Sequence, residues 1–251
     1  MFVGHYAAGL ALKKVEKNAP LGLLFLAVQF VDILFFPFAV LGIERFKIVE
    51  HYTASTHFVL EYMPFTHSLV ASVLWAAAVY LFFRFFPFKW KGNRKRIALV
   101  VAIAVLSHWF LDLIVHTPDL PLFTDASPKL GFGLWNNAVA TYLLEAILLL
   151  IGLRLYLTEN QGTTFWGKYG MVLFVGLMLI VNAVNIFGPP LGATVAAMAA
   201  SALFFTLHLP VWHTGWKNSR ARRGINSVTM RDESNSRLYF LSCNPTEILL
   251  S

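Results

Sequence analysis

The sequence predicts an all-α fold: a polytopic membrane helical bundle of about six transmembrane helices plus an N-terminal half-helix. Three observations predict it. Long apolar runs recur along the chain, charged residues are scarce, and those that remain are placed asymmetrically. Of the 251 residues, 57% are hydrophobic and only 13% charged, with a mean hydropathy of +0.63. A soluble domain carries about 25% charge, so this chain lacks the polar residues to cover a globular surface.

A helix needs about 20 mostly apolar residues to cross a bilayer. Such runs fall at 21–41, 67–86, 97–115, 134–157, 169–187 and 191–212. Helix is expected for each, because an open sheet edge goes unsatisfied in lipid. The turn Gly188-Pro189-Pro190 parts the last two runs. Residues 1–213 form the expected membrane-embedded domain. Residues 214–251 are polar and basic, without apolar periodicity, and are expected to be a disordered tail.

The positive-inside rule sets the orientation. With the N-terminus in the cytoplasm, every lysine and arginine except Arg45, Lys47 and Lys129 falls on the inner side. The expected location is therefore the plasma (inner) membrane, multi-pass, with both termini cytoplasmic. The net charge of +7 is explained by lysines and arginines that face anionic lipid headgroups. Membrane lipids are the expected partners, and nucleic acid is not. A lone cysteine, Cys243, excludes an internal disulfide framework and a cysteine-rich zinc site. No cleavable signal pattern is expected, since Lys13, Lys14 and Lys17 follow the first apolar stretch and do not precede it.

That first stretch, residues 1–12, is too short to span: twelve helical residues cover about 18 Å. The lysines would lie at the inner surface, and Asn18-Ala19-Pro20 makes a turn. If residues 1–17 dip back into the bilayer, they form a hairpin with the first span, and His5 comes beside Asp32. The alternative is an amphipathic helix lying on the inner surface.

Ionisable residues inside spans are costly and usually functional. Here they are Asp32, His67, His108, Asp112 and Glu145. His108 and Asp112, four apart, project from one helix face about 40° apart, a spacing that suits two ligands of one metal ion. Asp32 and His108 lie about 16 Å from the inner ends of their runs. His67 enters from the outer end, so the cluster is expected to open outward. His116 stands one turn beyond Asp112.

Other polar residues read more plainly. Asn182 and Asn185 suit interhelical hydrogen bonding. His51 and His57 read as solvated loop residues, and His208 and His213 lie at the inner end of the last run, far from the cluster. Asp119, Trp135 and Asn136 are candidates for the rim. His67 could instead cap its span beside Thr66, and His108 with Asp112 could be a structural pair.

Gly4-His5, Thr66-His67-Ser68 and Ser107-His108 followed by Asp112 occur here in that order. The set resembles the bacterial membrane-bound metal-dependent hydrolases, the family named for an inner-membrane protein under LexA control. The stretch His116-Thr117-Pro118-Asp119-Leu120-Pro121-Leu122, with Gly133-Leu134-Trp135-Asn136 and Glu145, resembles one poorly characterised branch. The resemblance covers roughly residues 1–157. Where the family often carries Pro-Asp-x-Asp-His, this chain keeps only Asp32. Where His-Arg-Gly often precedes Thr-His-Ser, it reads Tyr62-Met63-Pro64-Phe65. These departures remove ligands that a second metal would use.

Three functional readings follow. The first is a membrane-embedded, metal-dependent hydrolase acting on a lipid or other amphiphile. His5, Asp32, His67, His108 and Asp112 would hold a divalent ion, zinc by ligand type, with manganese or iron as alternatives. Asp112, Asp32 or Glu145 would act as general base, and the ion would acidify a bound water. The second is a transporter or permease using the buried His and Asp residues, which a broken helix or an internal repeat would favour; the sequence displays neither. The third is a non-catalytic membrane scaffold.

Overall fold

The computed structural model describes residues 1–88, 91–160 and 164–188. Among these the chain is mainly helical, in the order α1 (Gly4–Val15), α2 (Leu21–Val28), α3 (Phe30–Val40), β1 (Arg45–Ile48), β2 (Phe58–Tyr62), α4 (Leu69–Phe85), α5 (Arg94–Val115), β3 (Leu120–Pro121), β4 (Lys129–Leu130), α6 (Ala138–Glu159) and α7 (Phe165–Phe187). The expected run 191–212, the tail 214–251, His208 and His213 lie outside the described residues.

Among the described residues, three helices are long and apolar enough to cross a membrane: α5, α6 and α7. The first expected span is not one straight helix. It divides into α2 and α3, bent by 50° at Gln29. α4 is apolar but has only 17 residues, about 26 Å of helix. Its cap is Ser68, whose hydroxyl accepts the Ala71 N–H at 3.0 Å. His67 is therefore not the capping residue, which frees its ring for the cluster.

The expectation of purely helical structure also needs correction. β1 pairs antiparallel with β2, and β3 with β4. Both hairpins lie in the connections expected on the outer side, where water can satisfy a sheet edge that lipid cannot. Phe35, Met63 and Leu120 form a buried cluster, with Phe36, Phe46, Leu60 and Leu113 against it. That cluster ties the first hairpin to α3 and α5.

The N-terminal segment is a short buried helix, not a surface one. α1 packs against α6, α2 and α5, with Tyr6 and Leu10 inaccessible to solvent. A half-helix inside an apolar bundle must satisfy both of its ends. At the N-terminal end, Glu145 Oε2 accepts the N–H groups of Phe2 and Gly4, at 3.2 and 3.0 Å. A carboxylate there also meets the positive end of the helix dipole. At the C-terminal end, Arg96 Nη2 donates to the Val15 carbonyl at 2.9 Å. Lys13 Nζ donates to the carbonyls of Lys17 and Ala19, at 2.6 and 2.8 Å.

Gly152 of α6 is what lets α1 sit so close. A Cβ there would come within 2.8 Å of Ala7 Cα and 2.9 Å of the Ala7 carbonyl oxygen. Both are backbone atoms, so the helices themselves would have to separate. We therefore expect Gly152→Val to cost about 1–3 kcal/mol by overpacking and to lower the melting temperature in detergent. Gly176→Ala serves as control, since its Cβ meets nothing within 4 Å. Equal melting temperatures for the two variants would contradict the close α1–α6 contact.

Candidate metal centre

The break at Gln29 is the local event from which the site is built. With α2 ending at Val28, the Val28 carbonyl accepts a hydrogen bond from His108 Nδ1 at 2.8 Å. Donation from Nδ1 leaves the other ring nitrogen, Nε2, with its lone pair. That atom lies 3.0 Å from Asp112 Oδ2 and 3.6 Å from Asp32 Oδ1. It is buried and makes a hydrogen bond with neither.

His67 is oriented by the same logic. Glu44, fully buried, accepts the N–H groups of Phe65 and Thr66 at 2.8 and 3.0 Å. It also accepts the Thr66 hydroxyl at 2.6 Å. With its proton committed to Glu44, Thr66 Oγ1 accepts from His67 Nδ1 at 2.7 Å. His67 Nε2 then faces Asp32 Oδ1 at 3.3 Å.

A third histidine repeats the pattern. His116 Nδ1 donates to Asp119 Oδ1 at 2.8 Å, and the Thr117 hydroxyl holds Asp119 Oδ2 at 3.0 Å. His116 Nε2 lies 3.6 Å from Asp112 Oδ2. Trp135 packs on the His116 ring, centroids 4.0 Å apart. The Trp135 carbonyl accepts the Ser55 N–H and hydroxyl at 3.1 and 2.8 Å, joining the two outer connections over the site.

His5 completes the cluster from α1. Its ring stacks on His108, 3.9 Å between centroids and 8° from parallel. Its Nε2 lies 3.1 Å from Asp112 Oδ1 and its Nδ1 is buried without a partner. The Met1 amino group also reaches Asp112 Oδ1, at 2.5 Å.

The five residues expected as ligands thus come together. Ligand atoms of His5, Asp32 and His108 lie within 4.8 Å of one another, as do those of His67, His108 and Asp112. A metal ion could be held by either group. The chemistry of the donors fits one. With Nδ1 as the donor, the Nε2 atoms of His67, His108 and His116 are acceptors when the rings are neutral and donors when they are protonated. They face carboxylate oxygens, which are also acceptors. Only a cation or added protons can relieve that arrangement. Tying the second ring nitrogen to a carbonyl, hydroxyl or carboxylate is how proteins commonly orient metal-ligating histidines.

Glu145 lies outside both groups and is engaged at the end of α1. The structure also revises three lesser expectations. His57 is half-buried and lines the cavity beside the cluster instead of standing in solvent. Asn182 is buried with neither side-chain atom hydrogen-bonded, so it is not the interhelical link expected. Asn136 is exposed and absent from the cavity wall, whereas Trp135 lines it. His51 is exposed, as expected.

Sequence reasoning missed Glu44 and the Val28 carbonyl. Glu44 stands just after an apolar run with no motif around it. A backbone carbonyl has no residue signature at all. Compared with family models, with curated proteins and with solved structures, the chain matches none.

Two outcomes are expected. Wild-type protein purified in detergent should carry metal near one equivalent, and His67→Ala, His108→Ala and Asp112→Ala should each carry almost none by elemental analysis. Thr66→Val, which removes the link between Glu44 and His67, should weaken metal affinity by about 10–100-fold in a chelator competition. Undiminished affinity would show that Thr66 does not hold the ring.

Proposed function

We propose that the chain is a membrane-embedded, metal-dependent hydrolase, of the bacterial family that its motifs resemble. The observation that carries the reading is the set of three histidines with committed Nδ1 protons, whose Nε2 atoms converge on Asp32 and Asp112. His67, His108 and Asp112 hold one divalent ion, and His5 packs behind them. This histidine and carboxylate mixture suits zinc, with manganese or iron as alternatives.

Three protein ligands with a fourth position open is the arrangement of a catalytic site. A bound ion of this kind lowers the pKa of a coordinated water. Asp32 is best placed to accept a proton from water. Its side chain is 29% exposed, against 2% for Asp112, and it lines the cavity. Glu145 acts as a positioning residue: by capping α1 it fixes His5 over His108. The substrate is an amphiphile, reached from the outer half of the membrane.

The same reading places six spans in the inner membrane, counting α2 with α3 as one broken span, α4 as a short one and 191–212 as the last. Both termini are then cytoplasmic, and the hairpins lie outside. Cysteines at His51 and Lys91, both exposed, test this on intact cells after removal of Cys243. An impermeant thiol reagent should label the first and not the second. The opposite pattern would overturn the orientation.

The hydrolase reading is tested by loading the protein with zinc, manganese or iron and supplying p-nitrophenyl fatty-acid esters and bis-p-nitrophenyl phosphate. Metal-dependent release of p-nitrophenol is expected. Asp32→Asn should keep the metal and lose most of the turnover, commonly about 100–10,000-fold for a general base. A wild type that takes up none of the three metals would end the reading.

A second reading, transport, is favoured by one observation, the break of the first span beside the ionisable cluster. It differs in outcome: proteoliposomes would then move a cation across the bilayer without hydrolysing any ester.

A further inference from the structure

A cavity of about 550 Å³ runs from the cluster into the bundle, within the range of roughly 300–1,000 Å³ of small-molecule sites. At one end stand Asp32, His67, Asp112, His116 and Glu145. The rest of the wall is mainly apolar, with Phe36, Phe58 and Leu60 on one side and Ile180 and Val184 of α7 on the other.

Two features of this wall identify an occupant. The first is its side opening. Ile180 and Val184 line the cavity yet are 64% and 53% exposed. They stand four apart on one face of α7, a helix apolar and long enough to span. An exposed apolar face at that depth meets hydrocarbon, so the cavity communicates with lipid. The second feature is charge. The described residues of the wall include the carboxylates Asp32, Asp112 and Glu145 but no lysine or arginine. The Met1 amino group, which lines the cavity against Asp112, offsets one of those carboxylates and a divalent ion the other two, so no cation is left over for a phosphate. Phosphate headgroups are ordinarily held by such cations.

We propose that this cavity binds an uncharged single-chain ester amphiphile of the acylglycerol class. Its ester group sits at the His67–Asp112 end, and its hydrocarbon chain lies between the hairpin and α7. The chain enters sideways past Ile180 and Val184. The inference rests on the hydrolase reading for the ligand's fate, while binding itself does not. Hydrolysis adds water across the acyl C–O bond. The water oxygen stays on the acyl carbon, and the alcohol oxygen leaves with a proton.

The test uses the full chain in detergent micelles, loaded with zinc, and a monoacylglycerol carrying a diazirine in its acyl chain. The comparator is lysophosphatidic acid with the same chain. On irradiation the monoacylglycerol should label residues of the cavity wall, located by peptide mass spectrometry. The phosphate lipid should label them about tenfold less, a difference of about 1.4 kcal/mol in binding. Ile180→Trp and Val184→Trp narrow the opening from exposed positions that tolerate bulk. Each should cut labelling by about tenfold with metal content unchanged.

Equal labelling by the two lipids would overturn the proposal, as would labelling indifferent to both tryptophans. A metal-replete protein without cavity labelling would overturn it and leave the hydrolase reading standing. Specific labelling of a wild type that takes up no metal would support the binding site and remove the hydrolysis.

Discussion

Asp112 is buried in the middle of an apolar bundle, and most of the site can be understood as the response to that one charge. Placing a carboxylate at such depth costs several kcal/mol without a partner. Here His5, His108 and His116 all turn a ring nitrogen toward it, from α1, α5 and the end of α5. Asp32 adds a second carboxylate between His67 and His108. The Met1 amino group offsets part of this charge, and protonated rings or a bound metal ion could offset the rest.

Those hydrogen bonds explain several irregular features of the fold. A straight first span would keep its carbonyls in its own helical ladder. The 50° break at Gln29 releases one of them to His108. A full-length first helix would leave no room at the level of the cluster. The half-helix α1 instead ends its backbone there, and Glu145 from α6 accepts the exposed N–H groups. The segment between α3 and β1 carries Glu44, and the loop before α4 carries Thr66, into the same region, where together they set the His67 ring. Irregular backbone is tolerated at membrane depth when protein groups satisfy it, and here the groups that satisfy it also orient the histidines.

The cavity adds a further constraint. Its polar end is crowded with acidic groups and its walls are apolar, with the opening on the flank of α7. On the proposed reading, access from lipid and acidity at the polar end would together select for uncharged amphiphiles. The outer hairpins, pinned by Phe35, Met63 and Leu120 and by the Ser55–Trp135 contacts, cover the end that would otherwise face water. Burial from the aqueous side and access from the lipid side are thus features of one arrangement.

By itself, the sequence determined that the chain is helical and apolar enough for a membrane, because hydropathy and helical length are local properties. It determined also that His108 and Asp112 share a face, since i and i+4 always do, and that α1 could pair with the first span, since both arms count from one turn. It could not locate the break at Gln29, which no proline or glycine marks, nor the hairpins, whose strands are short and read as loop. Tertiary structure alone decided which groups complete the histidines. Glu44, through Thr66, and the Val28 carbonyl orient His67 and His108 from elements far off in the chain, and hydrogen-bond partners distant in the chain leave no period in it. The cavity was decided there as well, for it is the space between α3, α7 and a hairpin, and a space between elements belongs to no segment of the sequence.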